Sequence, residues 1–113
     1  MAVTPEGKIK KLVNRLLDNY EDCRATGQGL YRFWPVPAGF GASSLDCLVC
    51  YRGTFIAIET KAPGKKPTPR QELCMAQIHG ALGHVFVVDS EASLEKLEKF
   101  MNYLRNQNAA DNS

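Results

Sequence analysis

The stretch Ser44-Leu45-Asp46-Cys47-Leu48-Val49-Cys50-Tyr51-Arg52-Gly53-Thr54-Phe55-Ile56-Ala57-Ile58-Glu59-Thr60-Lys61 decides how the chain folds. β-Branched, aromatic and other apolar residues fill both arms and a glycine sits at the bend, which is the pattern of two antiparallel strands joined at Arg52-Gly53. With Tyr51 and Thr54 flanking a two-residue loop, the pairing carried outward sets Asp46 opposite Glu59. Side chains alternate along a strand, so Phe55, Ala57, Glu59 and Lys61 share one face, and Asp46 projects from the same side. Opposed residues have Cβ atoms about 4.5–5.5 Å apart, so two carboxylates there repel unless a positive charge lies between them. A divalent cation answers that need, because hard ions such as Mg²⁺ take oxygen ligands and are held by one or two carboxylates plus water and phosphate. Lys61 adds an ammonium group at the rim of the same place.

Working outward, Thr4-Pro5-Glu6 opens a first helix, with Thr4 as N-cap, Pro5 at the first helical position and Glu6 near the positive end of the dipole. Ile9, Leu12, Val13, Leu16, Leu17 and Tyr20 follow at helical spacing as one buried stripe. Glu6 begins that stripe, so it is open to two readings: a favourable charge at a helix start, or an acid that reaches a site in the sheet beneath. Residues 21–29 form a polar connection, and Leu30 to Trp34 a strand near an edge, since Pro35 and Pro37 follow and cannot donate to a ladder. The glycines of Pro37-Ala38-Gly39-Phe40-Gly41-Ala42-Ser43 suit a turn, or close approach by a ligand, just before Asp46.

After Lys61 comes the basic loop Ala62-Pro63-Gly64-Lys65-Lys66-Pro67, then Thr68-Pro69-Arg70-Gln71 with the spacing of a capping box. The second helix is expected to run to about Leu82, with Gln71, Met75, Ile78 and Leu82 on its buried stripe. His84 to Val88 is a continuous apolar run expected as a central strand, and Asp89-Ser90 ends it. Leu94, Leu97, Met101 and Leu104 mark a third helix, and residues 107–113 a polar tail. The order α-β-β-β-α-β-α in 113 residues gives a single α/β domain over residues 1–106, a central mixed sheet flanked by helices.

Hydrophobic content of 44% is that of an ordinary globular chain, no apolar run is long enough for a membrane span, and the first residues lack the apolar core of a signal peptide. A cytoplasmic protein is therefore expected. Cys47 and Cys50 have the spacing of half a zinc site, but three apart on a strand they point to opposite faces, so the four cysteines read as buried core thiols. His79 and His84 read as surface or satisfied histidines. The net charge is only +2, yet Lys8, Lys10, Lys11 and Arg15 form one run without acids and Lys61, Lys65, Lys66 and Arg70 another. Such runs suit phosphate, although solvated lysines look the same.

Asp46, a spacer, then Glu59-Thr60-Lys61 resembles the active-site pattern of the PD-(D/E)XK nucleases. With Glu6 on the first helix, glycines before the aspartate, Ile58 to Pro67, Gln71 opening the next helix and Val87-Val88-Asp89-Ser90, the chain is similar to the VRR-NUC family of replication and repair nucleases over about residues 6 to 90. Leu45 departs from the proline usual before the aspartate, a residue that shapes backbone and is no ligand. The resemblance implies a restriction-endonuclease-like fold and a Mg²⁺- or Mn²⁺-dependent DNA endonuclease. In it Asp46, Glu59 and the Thr60 carbonyl bind metal, Glu6 completes the site directly or through water, Lys61 orients or deprotonates the attacking water, and Gln71 positions the site. Lys8, Lys11, Lys65, Lys66 and Arg70 would contact DNA. Stand-alone members resemble four-way-junction resolving enzymes, which implies branched DNA, a homodimer with C2 symmetry, and no organic cofactor. A non-catalytic DNA-binding or assembly module of the same fold is the competing expectation.

Overall fold

A computed structural model describes residues 4–21, 27–36 and 44–111. The glycine-bearing loop before Ser44 and Cys23 lie outside the described residues. The elements are α1 (Pro5–Asp18), β1 (Leu30–Phe33), β2 (Cys47–Tyr51), β3 (Thr54–Thr60), α2 (Pro69–Gly80), β4 (His84–Val88) and α3 (Glu91–Asp111). This is the expected α-β-β-β-α-β-α order, a small α/β fold consistent with the restriction-endonuclease-like type.

The β2–β3 hairpin has the expected register, from Tyr51 opposite Thr54 to Cys47 opposite Ile58. Its two loop residues both have positive φ, 52° at Arg52 and 83° at Gly53, as the tight turns that match strand twist require. Gly53 adopts this at no steric cost, whereas Arg52 bears the cost of a side chain there. β1 joins β2 antiparallel and β4 joins β3 parallel, so the sheet order is β1-β2-β3-β4. β1 is at an edge, as its prolines suggested. β4 is at the opposite edge and not in the centre, which corrects the expectation for this strand. Its apolar run reflects two covered faces: Phe86 and Val88 pack on one side of the sheet and Val85 on the other.

Alternation along the strands divides the core. Cys47, Val49, Tyr51, Ile56, Ile58 and Val88 face a layer made by Ile9, Val13, Leu16, Leu17 and Tyr20 of α1 with Leu97, Met101 and Leu104 of α3. On the other face, Leu45 and Ala57 meet Cys74 of α2, with Leu48, Met75, Ile78 and Val85 packed around them. Each fully buried aliphatic side chain contributes roughly 1.5–3 kcal/mol relative to exposure. On the outer side of the first layer Arg32 ties β1 to α1, bonding the Asn14 carbonyl at 2.9 Å and pairing with Asp18 and Glu21.

Both N-caps form as expected. The Thr4 hydroxyl accepts from the Gly7 N–H at 3.0 Å, and Thr68 and Gln71 exchange bonds in a capping box. α2 stops at Gly80 and not at Leu82. The Leu82 N–H donates to the His79 carbonyl at 3.0 Å and the Gly83 N–H to the Ile78 carbonyl at 2.9 Å, which closes the helix with Leu82 left-handed at φ 68°. Leu82 is 88% exposed and lies off the buried stripe, whose buried member is Cys74. α3 in turn continues past residue 106 to Asp111, into the segment expected to be a tail. Once a helix is nucleated, each further residue adds without a nucleation cost.

Candidate functional site

Asp46 stands one residue outside the last ladder pair of β2, and Glu59 is the residue of β3 that faces it. The two are locked together through backbone groups. The Asp46 N–H donates to Glu59 Oε1 at 3.1 Å, and both the Thr60 N–H, at 2.9 Å, and the Thr60 hydroxyl, at 2.7 Å, donate to Asp46 Oδ2. Each carboxylate therefore has one oxygen anchored by the opposite strand.

Glu59 is 1% exposed, and its second oxygen, Oε2, is buried with no hydrogen-bond partner. The nearest cation is Lys61, with Nζ 3.9 Å from Oε2, a long ion pair. Lys61 is held in place by its own backbone, whose N–H donates to the Val88 carbonyl at 3.0 Å. Burial, and after it the neighbouring Asp46 carboxylate, pushes the Glu59 carboxyl up to about 7 from the usual 4.5. An unpartnered, buried acceptor costs roughly 1–3 kcal/mol, so the arrangement is one that a bound cation or donor would relieve. Two carboxylates with hard oxygen donors fit a divalent ion of the Mg²⁺ or Mn²⁺ kind.

The sheet end that carries this pair is also where two helices begin. Tyr20, just beyond the C-terminus of α1, packs edge-on against Tyr51 at 5.6 Å between centroids, beside the hairpin turn, so the N-terminal end with Glu6 points toward the carboxylate end. It does so from the opposite face. Among the described residues no three of the His, Cys, Asp and Glu side chains cluster as metal ligands. α2 packs on the carboxylate face with its C-terminal end against Phe55, which aims its N-terminus at Glu59. Gln71 opens that helix, but its side-chain oxygen is taken by the Thr68 N–H at 2.8 Å. Lys8, Lys11, Lys65, Lys66 and Arg70 are all exposed.

Thr60 carries a role that the sequence did not disclose. Alternation turns its side chain away from Glu59, and the family resemblance implies a role for its carbonyl alone. Asp46 lies past the end of the ladder, where strand alternation no longer fixes direction, and its carboxylate swings across to the Thr60 hydroxyl. Cys47 is buried and Cys50 exposed, on opposite faces as expected; Cys50 is thus a surface thiol and no core residue. His79 and His84 are exposed and line cavities at the other end of α2. A cavity of about 580 Å³ between Phe55, Ile78 and Leu82 also lies at the hairpin end, away from the carboxylates.

No protein-family model matches the chain, and no curated protein matches it. Among the described residues no helix is long and apolar enough to cross a membrane.

Proposed function

We propose that this chain is a divalent-metal-dependent DNA endonuclease that hydrolyses phosphodiester bonds, selective for branched DNA such as four-way junctions and working as a homodimer in replication, recombination or repair. The observation that carries the reading is the buried, unpartnered Oε2 of Glu59 beside Asp46, on the sheet face that also bears Lys61. The residues that would hold the ion are Asp46, Glu59 and the carbonyl of Thr60, with Glu6 reaching it through water. When bound, the ion supplies charge against the phosphoryl oxygens and lowers the pKa of a coordinated water.

The chain's own groups do the rest. The Thr60 amide and hydroxyl fix the Asp46 carboxylate, and the Asp46 amide fixes that of Glu59, so both acids are set before substrate arrives. Lys61 brings a compact ammonium to the rim, where it orients the attacking water and offsets charge on the phosphate. The water oxygen bonds to phosphorus, the bond to the leaving sugar oxygen breaks, and that oxygen takes up the proton. The cytoplasm is the compartment that suits such a substrate.

The test incubates the protein with labelled linear, flap and four-way-junction DNA in Mg²⁺, Mn²⁺ or EDTA, beside Asp46→Ala and Lys61→Ala. Metal-dependent cleavage of branched DNA that both substitutions abolish is the expected result. Binding without cleavage in every metal would instead make the chain a DNA-binding or assembly module, and cleavage that survives both substitutions would place the site elsewhere.

A further inference from the structure

The face of the sheet that carries the carboxylate pair is only partly covered by α2. Across β1, β2 and β3 the register sets Tyr31, Cys50 and Phe55 in one row and Phe33, Leu48 and Ala57 in the next. One further step along the strands, roughly 7 Å, leads to Asp46 and Glu59. The first row is open: Tyr31 is 67% exposed, Phe55 43%, and Cys50 lies between them at the surface. Phe33, in the row beside the carboxylates, is 49% exposed.

Among the described residues, the exposed large apolar side chains on the strands are these three aromatics, and all three project from the carboxylate face. Burying an aromatic is worth more than burying almost any other side chain, so leaving three uncovered on one sheet face sacrifices core stability unless something stacks on them. Arg32, between Tyr31 and Phe33, turns to the other face and is committed to Asp18 and Glu21, so the aromatic face is not broken by its charge. Lys65, Lys66 and Arg70 are exposed on the loop and helix start that follow Lys61, at the carboxylate end of this face.

We propose that this face is a stacking platform for an unpaired DNA strand, whose bases lie on Tyr31, Phe33 and Phe55 while its phosphates pass toward Asp46 and Glu59. The chemistry favours bases over a protein partner. Every base offers a π-face to an aromatic ring, and the exposed charged side chains of the adjoining loop and helix start are Lys65, Lys66 and Arg70 against the single acid Glu72, whereas the exposed aliphatics Val36 and Leu73 lie off the strands. The proposal rests on the nuclease reading and narrows its substrate to DNA with an unpaired strand next to the scissile phosphate.

Fluorescence anisotropy with a labelled oligodeoxythymidine and with a duplex of the same length, in EDTA, reads the platform without turnover. Stacking is worth about 1–3 kcal/mol per base, so Tyr31→Ala and Phe33→Ala each weaken single-strand binding by roughly 5- to 150-fold, Tyr31→Trp restores it, and duplex binding changes little. Cys50 serves as an internal reporter: bound oligodeoxythymidine protects it from alkylation by iodoacetamide, read by peptide mass mapping. Single-strand affinity unchanged in both variants, or Cys50 alkylated equally with and without the oligonucleotide, overturns the platform. So does a shift from dimer to monomer in the variants with single-strand affinity unchanged, because the face is then an interface between copies. Asp46-dependent cleavage that persists in variants binding single strands as the parent does removes the platform and leaves the nuclease reading intact. No binding of either DNA removes both.

Discussion

A carboxyl group 1% exposed, with one oxygen lacking a hydrogen-bond partner, is costly to charge, and Glu59 bears that cost where Asp46 adds to it. Its pKa is raised in the folded state, so the native protein binds a proton that the unfolded chain releases. The stability this group contributes is full below about 4.5 and is lost as pH rises through about 7. In EDTA, the melting temperature should therefore fall across that window, and Glu59→Gln, which keeps the shape without the charge, should flatten the fall while abolishing metal-dependent cleavage. A Gln variant whose melting temperature declines with pH as steeply as the parent's would show that Glu59 is not the titrating group. Thr60→Val tests the other anchor. It deletes the hydroxyl bond to Asp46 and retains the backbone one, and should cost about 1.5–3 kcal/mol in a urea melt and lower turnover, with Thr60→Ser close to the parent. An unchanged turnover in Thr60→Val would mean that the backbone amide suffices to hold Asp46.

At the scale of elements, the end of α2 makes the sharpest prediction. Leu82 occupies the left-handed position where glycine is the usual residue, and it is 88% exposed, so its side chain returns little for the strain. Leu82→Gly should stabilise the protein by about 1 kcal/mol in a urea melt. The adjacent Gly83 behaves oppositely. A Cβ there would stand 2.7 Å from Ile78 Cγ2 and 3.0 Å from Phe55 Cδ1, so Gly83→Ala should destabilise by about 1–3 kcal/mol. The reverse order of the two would refute this account of the helix end. The same spot explains why the sequence misled: Leu82 fits the apolar spacing of α2 although it takes the left-handed position, and Gly83, one residue later, is kept by close packing. The hairpin was legible because period-two alternation and Gly53 agree on one register. β4 was not, because a run of apolar residues reports that both faces are covered and says nothing of whether both edges are paired.

Across the whole molecule, the sheet divides labour between its ends. The hairpin end holds the Tyr20–Tyr51 contact and the cavity between Phe55, Ile78 and Leu82, and the other end gathers the carboxylates, Lys61 and the starts of α1 and α2. Glu59 and Lys61 follow one another on one face of β3 by alternation, whereas Asp46, past the end of the ladder, reaches across to the Thr60 hydroxyl. The Thr60 hydroxyl and the commitment of Gln71 to its cap depend on how strand and helix ends are finished, which alternation and helical spacing do not specify. The basic residues near this end should act by charge alone. The double substitution Lys65→Ala and Lys66→Ala should weaken DNA binding similarly for every sequence and reduce the slope of log affinity against log salt by about 1–2, while an unaltered slope would place the phosphates elsewhere. The account as a whole is tested most directly by titrating Mn²⁺ into the protein in a calorimeter near pH 7, in buffers of different ionisation enthalpy. Saturable binding that releases protons from Glu59, and that is lost in both Asp46→Asn and Glu59→Gln, is the expected result; binding that persists in those two folded variants, or no binding to the parent, would contradict it.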